Sequence, residues 1–290
     1  MVPIPTYQHI TVTTAAPSIA LITLKRPGKY NAFTNQMELD LVRAFADLDR
    51  DESVRAIVVT GDGKAFCAGA DLDEGVLERM AGEGRKEHRD QGGRVALAIH
   101  RCRKPTIAAL NGSAVGVGVT MILPMTIRVA YSNAKVGFVF SQRGLVMEAA
   151  SSFFLPRLIG HSRALYLTTT GSVLPASSPH FGSLFQELLP SSEAVLPRAV
   201  ALASQISAQT SGTSTYLMRE MMWRGKDSAE ETHLLDSELM WDLYGGKDKK
   251  EGIASFLEKR KAVFGGVEEG VPDMVPWWGA ADTRKVKEKL

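Results

Sequence analysis

Lys64-Ala-Phe-Cys-Ala-Gly-Ala-Asp71 and Asn111-Gly-Ser-Ala-Val-Gly-Val-Gly118 are the stretches that decide the reading of this chain. Each is a run of small residues and glycine following a strand-like apolar segment, Arg55-Ala-Ile-Val-Val-Thr60 for the first and Pro105-Thr-Ile-Ala-Ala-Leu110 for the second. Such runs let a ligand approach the main chain closely and leave N–H groups pointing outward. Two loops of this kind, from distant parts of a chain, aim two N–H donors at one oxygen. That is an oxyanion hole, and it suits a thioester whose carbonyl becomes an enolate.

Working outward, Ser18-Ile-Ala-Leu-Ile-Thr-Leu24 alternates and is rich in β-branched residues, which predicts a strand stopped by Pro27 and Gly28. Asn35 followed by Glu38 has the form of a capping box, and Met37, Leu41, Phe45 and Leu48 mark one helical face. The segment from Asp73 to Gly93 is charged and carries Gly82, Gly84, Gly92 and Gly93, so it reads as a mobile insert over the site. Val95 to Cys102 reads as helix and Ile127 to Tyr131 as strand. Strand-then-helix units recur about every 40–50 residues without sequence repetition, which predicts an α/β architecture of repeated ββα turns. Beyond Ser151 the chain turns helical: Ser152 to Ile159, Ser162 to Thr169, Ala194 to Gln209, Thr213 to Trp223, Ala229 to Tyr244 and Gly252 to Phe264. The tail from Gly265, with Pro272, Pro276 and Trp277-Trp278, reads as a surface wrap or a subunit contact. The expected division is a core over residues 1–200 and a helical region with its tail over 201–290.

Composition narrows the classes. The 290 residues are 44% hydrophobic and 23% charged, ordinary for a globular enzyme. With 34 basic and 32 acidic residues the net charge is +2, which gives no global field for nucleic acid or a membrane. Cys67 and Cys102 form no disulfide framework and have no metal-ligand spacing, so no metal is expected. The N-terminus, Met1-Val-Pro-Ile-Pro-Thr-Tyr7, lacks the layout of a secretory signal. The last two residues of Glu288-Lys289-Leu290 match the peroxisomal address and Glu288 does not. The expected location is therefore peroxisomal or cytosolic, not secreted.

At this point the residues resemble the crotonase superfamily, also called the enoyl-CoA hydratase/isomerase family. The carriers are Leu24-Lys-Arg-Pro-Gly-Lys-Tyr-Asn-Ala32, Ala65-Phe-Cys-Ala-Gly-Ala-Asp71, Lys104-Pro-Thr-Ile-Ala-Ala-Leu-Asn-Gly112 and Phe256-Leu-Glu-Lys-Arg-Lys261, spanning roughly residues 15–265. The resemblance implies a spiral core of ββα turns, a C-terminal helical trimerisation region, and a homotrimer or dimer of trimers. It implies an acyl-CoA thioester as substrate, with coenzyme A as part of that substrate and no separate cofactor. It places the oxyanion donors at the N–H groups of Ala68 and Val117, the latter where the family usually has glycine. It places the CoA and acyl path along the Lys64–Leu72 backbone, with Ala70, Asp71, Leu72, Gly116 and Phe140, and with Lys29 as a phosphate contact. Phe256 and Lys259, three apart on one helical face, would meet the nucleotide together.

Enoyl-CoA hydratases of this family hold a water with two glutamates, and the two positions fall here on Thr120 and Phe140. Neither serves as a base near neutral pH, and a phenylalanine gives a water no partner. The remaining candidate is Glu148, in Gly144-Leu-Val-Met-Glu-Ala-Ala-Ser-Ser-Phe153. This segment resembles the one where peroxisomal-type Δ3,Δ2-enoyl-CoA isomerases carry a single catalytic glutamate. One base can remove a proton from C2 and return one to C4 while the oxyanion hole holds the dienolate. Among apolar neighbours its pKa should be raised, while a helix N-terminus would partly counter that. Asp71 reads best as a cap for the following helix, Cys67 as packing, and His100, His161 and His180 have no nucleophile at a usable spacing. The expected activity is a double-bond shift in an enoyl-CoA. The alternatives are hydration or dehydration by the single glutamate, or a non-catalytic crotonase-fold binding protein.

Overall fold

The computed structural model describes residues 6–74, 83–267, 270–279 and 281–283. Along the chain the strands and helices are β1 (Ile10–Ala16), β2 (Ile19–Leu24), α1 (Asn35–Arg50), β3 (Ala56–Gly61), β4 (Ala65–Cys67), α2 (Gln91–Arg101), β5 (Thr106–Leu110), β6 (Ser113–Val115), α3 (Val117–Thr120), β7 (Ile127–Tyr131), β8 (Lys135–Gly137), α4 (Ser151–Ile159), α5 (His161–Thr170), β9 (Val173–Pro175), β10 (Glu187–Leu189), α6 (Ser192–Gln209), α7 (Gly212–Arg224), α8 (Ala229–Tyr244) and α9 (Lys247–Leu257).

Two sheets are built in step. The larger runs β1-β2-β3-β5-β7-β10 and the smaller β4-β6-β8-β9. Each of β3–β4, β5–β6 and β7–β8 puts its first strand in the large sheet and its second in the small one, and the strands within these two sets are parallel. The chain therefore advances as a spiral of ββα turns, as expected from the strand spacing. Strands β3 and β5 are buried along their whole length because both faces are covered. Ala56 and Val58 point to Val195, Ala199 and Ala203 of α6, while Ile57 and Val59 point into the main core with Phe45 and Phe66. That period of two explains why these strands read as continuous apolar runs rather than as alternation.

Several boundaries differ from the sequence expectation. The cap of α1 is Thr34, whose Oγ1 accepts from the Met37 amide at 3.0 Å; Asn35 is already inside the helix, and Glu38 pairs with Arg94. Strand β10 has no counterpart in the sequence expectation and completes the large sheet beside β7. Three residues carry too little pattern to reveal it. The expected boundary at residue 200 falls inside α6, which covers the sheet. Helix α9 ends at Leu257, short of the expected Phe264. The tail does wrap its own chain: Val271, Met274, Trp277 and Trp278 pack on Tyr216, Leu217, Leu235 and Leu239 of α7 and α8. Among the described residues no helix is long and apolar enough to cross a membrane. The terminal Glu288-Lys289-Leu290 lies outside the described residues.

The spiral closes only because main chain meets main chain. A Cβ at Gly112 would overlap the Lys64 carbonyl oxygen, and one at Gly118 would overlap that of Cys67. Gly112→Ala is therefore expected to destabilise the fold by about 1–3 kcal/mol, the usual cost of overpacking. The measurement is the urea unfolding midpoint, and an unchanged midpoint would show that the loops have slack.

Candidate active site

The loop after β4 and the loop after β6 lie against each other. Gly69, at φ +102°, has its Cα 3.9 Å from the position a Cβ would take on Gly116, and a Cβ on Gly69 would sit 3.0 Å from the Val115 carbonyl. Two buried asparagines pin the turn between β3 and β4 that leads into the first loop. Asn111 accepts from the Gly61 amide at 3.1 Å and donates to the Gly63 carbonyl at 2.9 Å. Asn31 donates to the carbonyls of Asp62 and Ala65 at 2.9 and 2.8 Å.

This scaffold sorts the candidate amides. The Ala68 N–H donates to the Tyr30 carbonyl at 3.1 Å, so it is committed to the fold and the expectation of a free donor there is corrected. Two residues on, the Phe33 amide bonds to Gly69 and the Asp71 amide to Phe33, which leaves the Ala70 N–H between them with no acceptor among the described residues. The Val117 N–H, where α3 begins, likewise has none. The sequence could not separate Ala68 from Ala70, because the choice depends on a distant carbonyl.

The flanking candidates divide. Asp71 is buried, pairs with Arg26 at 2.8 Å and accepts from the Asp73 amide at 3.0 Å, and the Arg26 hydrogen bond holds its carboxyl below the usual range. Its side chain is the cap that the motif suggested, so only the Asp71 backbone remains for the expected CoA path. Leu72 projects outward at 71% exposure. Lys29 sits on the rim and pairs with Asp73 at 2.9 Å, both exposed. Gly116 is buried under the Phe140 ring, whose tip is 4.0 Å from where a Gly116 Cβ would lie. Phe256 is exposed on α9, but the chain turns at Lys259 with φ +53°, so the two share no continuous helical face, contrary to expectation. Asp248 of α9 bonds to Ser211 and to the Gly265 amide, tying that helix to α7.

Glu148 is held between α2 and α3. Thr120, fully buried, donates its hydroxyl to Glu148 Oε1. Oε2 is sealed from solvent and has no hydrogen-bond partner. A Cβ on Gly92 would overlap Oε2 and would lie 3.1 Å from Val117 Cγ2, which places the carboxyl beside the α3 loop. Loss of hydration pushes the Glu148 pKa up to about 8; the Thr120 hydrogen bond pulls it down, and the nearby Asp90 carboxylate pushes it up. Three other buried carboxylates are satisfied: Glu38 by Arg94, Glu220 by Arg219 and Arg224, Asp40 by the amides of Gln8 and His9; Asp236 Oδ1, on half-buried Asp236, has no partner. Cys67 is buried with its thiol pushed up to about 12, so it packs and does not react. His100 is wedged against Phe154 and Trp223, and burial lowers it to about 4.

Two features escaped the sequence reading. Gly92 and Gly93 are buried in the first turn of α2 rather than lying in an insert; residues 75–82 of that stretch are outside the described residues. Asp90 caps α2 through the Gly93 amide, and the same Oδ1 accepts from the Ala149 amide at 3.0 Å. The run Asp-Gln-Gly-Gly carried a cap signal, but its contact with a residue 59 positions away is tertiary.

Residues 14–267 match the family described as Enoyl-CoA hydratase/isomerase. The chain is 50% identical to an enoyl-CoA hydratase of Alternaria alternata over 249 residues, 86% of this chain and 83% of that one. It is 30% identical to a mevalonyl-coenzyme A hydratase of Beauveria bassiana, covering 86% and 91% of the two chains. The crystal structure of enoyl-CoA hydratase from Bacillus anthracis superposes with a TM-score of 0.78 at 28% identity, over 89% of this chain and all of that one.

The carboxyl of Glu148 titrates near 8 when folded and near 4.5 when unfolded, so the folded chain holds one more proton between those values. Stability from this group is intact below about 4.5 and is lost as pH rises to about 8. Glu148→Gln removes the titration. Its stability relative to the parent chain is expected to climb between pH 5 and 8, reaching about 2–4 kcal/mol, measured by urea unfolding at a series of pH values. A pH-independent difference would place the Glu148 carboxyl in contact with water.

Proposed function

The chain belongs to the enoyl-CoA hydratase/isomerase family, and from that premise we propose that it shifts the double bond of a 3-enoyl-CoA to C2, with Glu148 as acid and base. The observation that carries this reading is the enclosed Glu148 carboxyl beside two acceptor-free amides. The thioester carbonyl docks on the N–H groups of Ala70 and Val117. Glu148 takes a proton from C2, the electron pair of that C–H bond is delocalised onto the thioester oxygen as a dienolate, and the two amides stabilise the charge there. The same carboxyl then returns a proton to C4, leaving the double bond between C2 and C3. A base that must both take and return a proton works best with a pKa near the working pH, and a value raised to about 8 meets that condition.

Phe140 covers Gly116 with a benzyl ring, and Thr120 spends its hydroxyl proton on Glu148. Neither offers a water the second carboxylate that two-glutamate hydration uses. That supports double-bond migration over water addition. Hydration or dehydration by Glu148 is the second reading, favoured by the names of the relatives in Alternaria and Beauveria. On either reading the CoA nucleotide lies along the Lys64–Leu72 backbone near Lys29. Phe256 and Lys259 remain candidates to close over it from a second copy in a homotrimer.

Glu148→Gln is expected to lower isomerisation by at least about 10²-fold with little change in CoA affinity, since loss of a general base typically costs 10²–10⁴. In the parent enzyme kcat/KM should rise with pH and level off above about 8, because the carboxylate form starts the reaction. Near-parent turnover by the variant would remove Glu148 from the chemistry. The parent enzyme should also shift a 3-enoyl double bond far faster than it hydrates 2-enoyl-CoA, followed by paired assays on the two substrates. Hydration that equals or exceeds the shift would promote the second reading.

A further inference from the structure

We infer that Asp90 is a positioning residue for the acid–base carboxyl: it shares the Glu148 proton and clamps the backbone corner that carries Glu148. This rests on Glu148 being the acid and base.

Three independent features converge on Asp90. The first is packing. Gly92 and Gly93 open α2, and each lacks a side chain where a carboxylate lies: Glu148 Oε2 occupies the space over Gly92, and Asp90 Oδ2 is 2.6 Å from the position of a Gly93 Cβ. A Gly-Gly pair in the first turn of a helix costs about 1 kcal/mol per residue relative to alanine, and here it admits two acids side by side.

The second is the backbone. Ala149 and Ala150, directly after Glu148, both have positive φ, +58° and +50°. Left-handed alanine costs roughly 1–2 kcal/mol per residue, so such a corner persists only where the surroundings hold it. Asp90 Oδ1 accepts the Ala149 amide at 3.0 Å and the Gly93 amide as well, joining the corner to α2. Rotating Ala149 out of this conformation would break that bond and swing Glu148 away from Thr120.

The third is the orphan oxygen. Glu148 Oε2 is buried with no donor to satisfy it as a carboxylate. As a carboxylic acid it becomes the donor, and the Asp90 carboxylate, held beside it by the Gly93 and Ala149 amides, is within reach to accept. Two carboxylates in contact hold one proton between them more readily than none. The neighbours of Glu148 fit this account. Thr120 from α3 donates to the other oxygen, and the Cys67 thiol of β4 is neutral at ordinary pH. Among the described residues no arginine or lysine pairs with Glu148. Arg89 and Arg94, on either side of Asp90, reach the Thr283 carbonyl and Glu38 respectively.

The experiment reads Glu148 directly rather than through turnover. The pH at which Glu148→Gln stops gaining stability over its parent gives the Glu148 titration point. It is measured in the full chain and again in an Asp90→Asn background. Asparagine keeps an oxygen for the Gly93 and Ala149 amides and removes the charge. The titration point is expected to fall by about one pH unit or more, the effect of removing a like charge in contact. The rising limb of kcat/KM for isomerisation should fall with it. The same titration point in both backgrounds would overturn the proposal. If Asp90→Asn does not fold, Asp90→Ser, also a helix-capping residue without charge, takes its place with the same two outcomes. A shifted stability titration without any isomerase activity in the parent chain would sink the functional reading while leaving the Asp90–Glu148 pair intact.

Discussion

The contact between two bare stretches of main chain is the constraint on which everything else depends. Glycine meets carbonyl on both sides of the short strands β4 and β6: Gly112, before β6, lies on Lys64, before β4, and Gly118, after β6, lies on Cys67, at the end of β4. No side chain fits there. The turn between β3 and β4 is held by Asn31 and Asn111, which bond to the carbonyls and amide it would otherwise leave unpaired. Because β3 and β5, which run into the segments before β4 and β6, are buried on both faces, these segments have little freedom to separate. Rigid main chain is what makes two N–H groups useful to an oxygen in a transition state: they are aimed before the charge appears and need no reorganisation when it does.

Against this background Glu148 stands out by what it lacks. Several buried charges elsewhere are satisfied by the fold, although Arg55 Nε and Asp236 Oδ1 are also buried without a hydrogen-bond partner. Arg128 donates to the carbonyls of Leu184, Leu123 and Met125, and Lys104 to that of Leu48. Buried acids receive arginines or amides. Glu148 receives one hydroxyl, and its second oxygen is left without a donor. The loss of hydration that raises its pKa is also a loss of stability above the unfolded value, so the buried carboxyl and the fold are in tension. A left-handed alanine pair adds to that tension, and the contacts from α2 offset it.

The rest of the molecule serves to keep this corner in place. Helix α6 closes the outer face of the large sheet, and the tail with Trp277 and Trp278 covers α7 and α8. Trp277 donates to the Arg224 carbonyl, and Arg224 in turn lies over the Trp278 ring and pairs with Glu220. Helices α8 and α9 leave several large apolar side chains uncovered, with Trp241 and Phe256 near 80% exposed.

The sequence by itself determined the family and the α/β spiral. Small-residue runs after apolar strands are readable because they are local: only glycine and alanine tolerate such close main-chain contact, and the strands before them are apolar throughout. Glu148 was singled out only through the family resemblance, since its local sequence, an acid among Met147, Ala149 and Ala150, reads equally as a helix cap. Tertiary structure decided what local pattern cannot carry. It assigned the free amide to Ala70 rather than Ala68, because a carbonyl from Tyr30, 38 positions earlier, takes the Ala68 hydrogen. It turned Asp71 into a partner of Arg26 and separated Phe256 from Lys259 by ending α9 early. It moved Gly92 and Gly93 from an apparent insert into a helix, where the absence of a side chain is filled by a carboxyl from a distant segment. Hydrogen bonds and desolvation depend on which groups meet, and chain folding, not sequence spacing, brings Asp90, Thr120 and Glu148 together.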